Sequence, residues 1–350
     1  MTRSMTRSLA TLPSASASRV LSRLRLPLIS APMFIVSNPA LVIAQCKAGV
    51  VGSFPALNAR PQAELDNWLS QIKSALEEHD LHHPTAPAAP FAVNQIVHKT
   101  NERLMEDMEV IVKHKVPIVI TSLGAREDVN EAVHSYGGIV LHDVTNNFFA
   151  QKAISKGADG LIAVAAGAGG HAGTLSPFAL VQEIREWFDG PLALSGSIAT
   201  GRSILAAQAM GADFAYAGSA FIATDEANAV GAYKQMIVDC DASEIVYTNL
   251  FTGVHGNYLR PSIVNAGLDP DALPESDASA MGFGGGEIKK PKGATKAWRD
   301  VWGCGQGIGP VRAIDSTTAL VQRLEDEYEQ ARLGLDLLPG VLRVRGRTES

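Results

Sequence analysis

The sequence predicts an α/β fold: a (β/α)8 TIM barrel with a smaller helical and irregular cap inserted after the eighth strand. Three observations predict it. Eight short apolar runs recur between residues 28 and 217, helical patterns separate them, and glycine-bearing stops lie between several helices and the next run. The runs begin at Leu28, Val50, Phe91, Pro117, Gly138, Asp159, Pro191 and Asp213. They are continuous rather than alternating, as expected of strands buried on both faces of a parallel sheet. Their starts lie 21 to 41 residues apart, which leaves room for a crossover helix each time. Eight successive units of this kind close a barrel.

The helices follow in order. Leu65, Trp68, Leu69, Ile72 and Leu76 recur at helical spacing, and so do Leu104, Met105, Met108, Ile111 and Val112 behind Asn101 as an expected N-cap. Lys47-Ala48-Gly49, Lys156-Gly157-Ala158-Asp159 and Met210-Gly211-Ala212-Asp213 read as helix-to-strand stops, because glycine accepts the left-handed backbone that ends a helix. Residues 225–238 read as a helix, followed by irregular sequence that includes a glycine cluster at 282–286, read as a flexible cap loop. A last helix is expected from Asp315 to Arg332, with Leu320, Val321, Leu324 and Tyr328 on one face. The expected organisation is a disordered leader at 1–25, a barrel at 26–224 and 311–350, and a substrate-covering cap at 225–310.

Composition narrows the functional classes. The chain has 350 residues, 46% apolar and 19% charged, with a net charge of −6. That is too apolar for disorder, and it lacks the positive balance a duplex-binding protein needs. No uninterrupted apolar run of about 18 residues is present, which excludes a spanning helix. Three widely spaced cysteines, Cys46, Cys240 and Cys304, form neither a disulfide framework nor a zinc cluster. The first 25 residues hold five arginines and no acid, a pattern shared by transit peptides, but no apolar secretory core follows, so a cytoplasmic location is expected.

In such barrels the site lies at the C-terminal ends of the strands. Those positions read Ala31-Pro32-Met33, Asn94-Gln95, Thr121-Ser122, His142-Asp143, G-A-G-G-H-A-G-T at 167–174, S-G-S-I-A-T-G at 195–201, and Ala217-Gly218-Ser219. The last two loops are where barrels bind phosphate, with backbone N–H groups as donors. Gly196, Ser197, Gly201, Gly218 and Ser219 would leave that backbone open; the alternative is that the glycines only make turns. Gly167, Gly169, Gly170 and Gly173 would let the chain pass close to a flat ligand, and His171 among them suits proton transfer. The match of G-A-G-G-H-A to a dinucleotide fingerprint is weak, because it follows the sixth strand and no acid stands at the tip of the next one. His98, His142 and His255 occupy loop positions that could face the site. No spacing suggests a metal.

On A-P-M at 31–33, G-G-H-A-G-T at 169–174, S-G-S-I-A-T-G at 195–201, G-S-A-F at 218–221 and W-G-C-G-Q-G-I-G at 302–309, the chain resembles the nitronate monooxygenase family of FMN-dependent barrels. The resemblance implies FMN as cofactor. Its phosphate would be held by Gly196, Ser197, Gly218 and Ser219. Its ring would be lined by Ala31, Pro32, Met33, Asn94, Gln95, Ala168, Gly169, Gly170 and, from a returning segment, Gln306. His171 would be the catalytic base or the ligand of the nitro group, with His255 and Tyr258 as substrate contacts. The reaction implied is oxidation of an alkyl nitronate by O2 to a carbonyl compound and nitrite, on a small-molecule nitronate or nitroalkane. Neither nucleic acid nor membrane is an implied partner, and a monomer or homodimer is expected. Flavin-dependent NAD(P)H reductases of quinones or enoyl thioesters share these motifs and form the alternative. A non-catalytic phosphate-ligand-binding barrel is a second alternative. One departure stands out: some members carry His-Lys where this chain has His142-Asp143. An acid would not stabilise an anionic reduced flavin, so Asp143 is expected to point away, or another donor to serve.

Overall fold

A computed structural model of the protein describes residues 22–276 and 301–336. The leader to residue 21, the glycine cluster at 282–286 and the basic tail lie outside the described residues. Eight parallel strands form one sheet: β1 (Leu28–Ser30), β2 (Gly52–Pro55), β3 (Phe91–Ile96), β4 (Ile118–Ser122), β5 (Ile139–Val144), β6 (Gly160–Val164), β8 (Leu192–Ser195) and β9 (Phe214–Ala217). The order is β1-β9-β8-β6-β5-β4-β3-β2. A parallel bridge from Ile29 to Val51 brings the two ends together, so the sheet is a nearly closed barrel. A short strand, β7 (Gly170–His171), lies between β6 and β8 and belongs elsewhere.

Each strand shows why its run was continuous. Ile29, Val51, Ala92, Ile118, Ile120, Leu141, Ile162, Ala193 and Phe214 fill the barrel interior. Leu28, Phe54, Val93, Val119, Val140, Leu161 and Leu194 face the helices. Both faces are apolar because both are covered. The helices are α1 (Pro39–Lys47), α2 (Glu64–His82), α3 (Leu104–His114), α4 (Glu127–His134), α5 (Asn147–Ser155), α6 (Pro177–Arg185) and α7 (Gly201–Met210). Asn38 caps α1 and Asn146 caps α5, each accepting a backbone N–H three residues on. On α2, Leu65, Leu69, Ile72 and Leu76 are buried as the spacing predicts. On α3, Met105 departs from its expected place and is 53% exposed. Arg103, not Asn101, is the residue at the α3 cap; Asn101 instead holds the preceding turn by accepting the Arg103 N–H at 3.2 Å. The helix stops behave as read: Gly49, Gly157 and Gly211 have φ of +91°, +90° and +111°.

After β9 come the short α8 (Ser219–Ile222), α9 (Gly231–Asp239), β10 (Ile245–Thr248), β11 (Gly256–Leu259) and α10 (Arg260–Asn265). β10, β11 and β7 make a second, antiparallel sheet. Thus the loop that leaves β6 is a strand of that sheet as well as part of the barrel end. The final helix, α11 (Thr317–Asp336), returns to pack on α7 and α1, with Leu320, Val321 and Leu324 buried. No helix among the described residues is long and apolar enough to cross a membrane.

Candidate active site

The alternation of a strand decides which side chains enter the barrel mouth. Leu141 lies in the interior and Val140 and Val144 face the helices. Asp143 therefore points inward and His142 outward. The same rule puts Asn94 and Ser122 inside, and Gln95 and Thr121 outside. The hydrogen bonds agree. Asn94 Nδ2 donates to the Ser122 hydroxyl at 2.7 Å, and Ser122 donates to Asp143 Oδ2 at 2.6 Å. On the outer side, Gln95 Nε2 donates to the Leu104 carbonyl at 3.2 Å, and Thr121 Oγ1 meets His142 Nδ1 at 2.6 Å. Gln95 has no exposed surface, so it does not line the mouth as expected. His142 likewise turns away from the site.

Asp143 is thus the inward-facing residue of the pair, which rules out the first of the two expectations, that it points away, and leaves the second, that another donor serves. Burial pushes its carboxyl up to about 6, with the Ser122 hydroxyl opposing the rise. Its Oδ1 is buried without a hydrogen-bond partner among the described residues. Tyr216 of β9 also faces the interior, and burial together with Asp143 raises its phenol well above the ordinary value.

Two loops form a side-chain-poor cradle. Gly196 has φ +134°, and a Cβ there would stand 2.7 Å from the Ala166 carbonyl. Ser197 follows at φ +58° and is exposed. Across from it, a Cβ on Gly218 would stand 3.2 Å from Ala31 and 3.4 Å from Met33 Sδ, because β1 and β9 are paired. Ile35, Leu123 and Ser197 are three of the four non-glycine residues with positive φ among the described residues, and all three follow barrel strands. Backbone held in that region gathers at functional sites. Contrary to the expectation from sequence, Gly201 does not contribute open backbone. Its N–H donates to Glu327 of α11 at 2.8 Å, and a Cβ there would overlap the α11 backbone at Tyr328 and Leu324.

The glycine loop after β6 has a different surrounding from the one expected. Residues 303–307 return against it. Gln306 N donates to the Gly167 carbonyl at 2.9 Å, and a Cβ on Gly169 would stand 2.8 Å from Gly305 N. A Cβ on Gly305 would stand 2.6 Å from the Gly167 carbonyl. Ser219 accepts the Gly305 N–H at 2.9 Å, so the returning segment also touches the cradle. Tyr233 anchors that segment, stacked on Trp302 at 5.0 Å and donating its hydroxyl to the Gly303 carbonyl.

His171 sits on β7, paired with Gly256 of β11. Its Nε2 lies 3.1 Å from Thr252 Oγ1. Thr252 Oγ1 also lies 2.9 Å from the Val254 carbonyl, so its hydroxyl ties the imidazole to the 252–254 turn. Burial lowers the imidazole to about 4, so it is neutral at ordinary pH. Asn257 fixes the same loop by donating to the Ala168 carbonyl at 2.7 Å. Thr252 and Asn257 carry no motif of their own, and sequence reasoning missed both. Tyr258 and His255 do not take their expected places. Tyr258 has no exposed surface and packs edge-on to Phe251 at 4.8 Å, its hydroxyl turned to Thr252. His255 is exposed and stacks on Tyr247 at 5.1 Å. No cluster of metal-binding side chains occurs among the described residues.

A family profile described as nitronate monooxygenase matches residues 16–326, which is most of the chain. The chain belongs to the nitronate monooxygenase family. A nitronate monooxygenase from Paraburkholderia phytofirmans is 27% identical over 349 residues, covering 87% of this chain and 93% of that one. Among solved structures, a nitroalkane oxidase from Streptomyces ansochromogenes superposes with a TM-score of 0.72 at 23% identity, covering 91% and 99% of the two chains. FabK from Thermotoga maritima superposes with a TM-score of 0.70 at 22% identity, covering 91% and 98%. Those two likenesses establish the shared barrel. Family membership makes the protein an oxidoreductase of a flavoenzyme family that acts on small nitronates or nitroalkanes.

Proposed function

We propose that this nitronate monooxygenase-family enzyme holds FMN across the barrel mouth and oxidises an alkyl nitronate with O2 to a carbonyl compound and nitrite. The observation that carries the reading is the geometry of His171: a half-buried, neutral imidazole held by Thr252 on the loop that leaves β6, at the same end of the barrel as the loops after β8 and β9. Two further observations fit a flavin mononucleotide. Gly196-Ser197 and Gly218-Ser219 follow the paired strands β8 and β9, with Ser197 exposed and a helix starting at Ser219, which suits a phosphate. The inward Asp143 keeps a buried oxygen that lacks a hydrogen-bond partner among the described residues.

Met33 and Asn94 would meet the ring from the barrel, and Ala168, Gly169, Gly170 and Gln306 from the loops above. Bound FMN would supply the electron transfer between nitronate and oxygen. The chain's own residues bind, orient and exclude water. The returning segment 303–307 covers the glycine loop and holds it still. His171 orients the nitro group, and its imidazole takes the proton when a neutral nitroalkane arrives. Desolvation makes the imidazole a weak base, so the reading favours the anionic nitronate, which needs no deprotonation. His255 and Tyr258 belong to the shell around this site: Tyr258 braces Thr252, and His255 lies at the rim.

The test is turnover with a nitronate and with its neutral nitroalkane, followed as nitrite release. Faster turnover of the nitronate supports the reading. Purified protein without flavin absorbance, or flavin reduced by NADH or NADPH and untouched by a nitronate, would replace it.

A further inference from the structure

The mouth of the barrel contains an acid that the proposed role of His171 does not use. Asp143 closes a relay of three inward side chains on three adjacent strands: Asn94 on β3, Ser122 on β4 and Asp143 on β5. Asn94 is itself fixed by a second donation, to the Ile120 carbonyl at 3.1 Å. Direction along the relay is set, because Asn94 can only donate to Ser122, which then donates to Asp143 Oδ2. The carboxyl is therefore held in one orientation, with Oδ1 buried and, among the described residues, unpartnered. Around it stand Ser122 from β4, Asn94 from β3, the apolar Ile162 from β6 and the phenol of Tyr216 from β9. His142, its neighbour in sequence, points to the opposite face, bonded to Thr121. Among the described residues no Lys or Arg pairs with Asp143, so nothing compensates a negative charge there. An uncompensated buried carboxylate is costly, whereas a neutral carboxyl is a hydrogen-bond donor.

We propose that Asp143 serves the mouth as a protonated carboxyl that donates a hydrogen bond to the flavin ring held there, with Ser122 and Asn94 as its positioning residues. This rests on the FMN reading above. A neutral acid resolves the departure from the His-Lys pattern: it offers a donor to an electron-rich ring edge without a cation. The proton lies on Oδ1, since Oδ2 accepts from Ser122. A hydrogen bond from the protonated carboxyl to the ring would favour the protonated form further. Proton uptake by Asp143 and flavin binding are then linked: each favours the other.

The experiment is titration of the Asp143 carboxyl by carbon NMR in protein carrying labelled aspartate, assigned with D143N, before and after saturation with FMN. Binding is followed separately by quenching of FMN fluorescence. The free protein should titrate near 6, and the midpoint should rise when FMN binds. Wild-type affinity, relative to D143N, should fall by up to about tenfold per pH unit above that midpoint. S122A should raise the midpoint, because it removes a donor to the ionised form. At pH 7, D143N should bind FMN at least as well as wild type, within about threefold, because its amide is neutral and can donate. Quenching with Asp143 titrating in the ordinary carboxylate range, or D143N binding FMN more than about tenfold worse at pH 7, would overturn this proposal and leave the FMN reading standing. Failure of FMN to bind would remove that reading and this proposal together.

Discussion

Two glycine-rich regions at one end of the barrel use the same residue for opposite ends. In the loop after β6 and the segment 303–307, glycine lets backbone lie on backbone, as Gly305 does beside the Gly167 carbonyl. At Gly218, glycine leaves space beside a strand end that a protein side chain would fill, bordered by Ala31 and Met33, whereas Gly196 belongs with the packed set, its Cβ position lying 2.7 Å from the Ala166 carbonyl. Counted in sequence, the two sets look alike. Their difference is whether the neighbour that forbids a Cβ is part of the chain's own packing or borders the proposed ligand's cradle.

Substitutions should separate the two kinds. The largest effect is expected at Gly201, where a methyl would overlap the α11 backbone and the Glu327 bond would be lost. G201A should destabilise by about 3 kcal/mol or more, read by chemical denaturation. G305A comes next, at about 2 kcal/mol, and should also weaken FMN binding because it displaces the Gly167 carbonyl. G218A should cost less than about 1 kcal/mol in stability, since its contacts at 3.2 and 3.4 Å are with side chains, yet weaken FMN binding by about tenfold or more. If G218A were as destabilising as G305A with flavin affinity intact, the distinction between the two regions would fail. Gly170 has nothing within 4 Å of its Cβ position and φ +63°, so G170A should lose only about 1 kcal/mol of stability, to backbone strain.

A smaller effect is expected from pH. Burial lowers both His142 and His171 to about 4, whereas the unfolded chain binds the proton near 6.5. The unfolded state takes up protons first on acidification, so each histidine costs stability as pH falls from 6.5 towards 4. H142Q removes one of these and should show a shallower fall in Tm over that window.

Most of the barrel was legible because burial on both faces writes strands as unbroken apolar runs, from Leu28 to Asp213. The helix stops were legible for a local reason, the left-handed backbone at Gly49, Gly157 and Gly211. The candidate site was read less fully. Unbroken runs hide which residues point inward, so Asn94 and Gln95 looked equivalent until the helix contact of Gln95 separated them. Partnerships across large sequence distances, such as His171 with Thr252 or Gly167 with Gln306, leave no local pattern. Gly201 reads as an open helix start only because α11 follows more than a hundred residues later.

The central claim is that the chain, loaded with FMN, takes electrons from a nitronate. Anaerobic mixing of the flavin-loaded protein with propyl-2-nitronate tests it most directly, with H171N beside it. The account predicts rapid bleaching of the flavin by the nitronate, slower by at least about tenfold in H171N, and nitrite when oxygen is admitted. Bleaching by NADH or NADPH with the nitronate inert would contradict it.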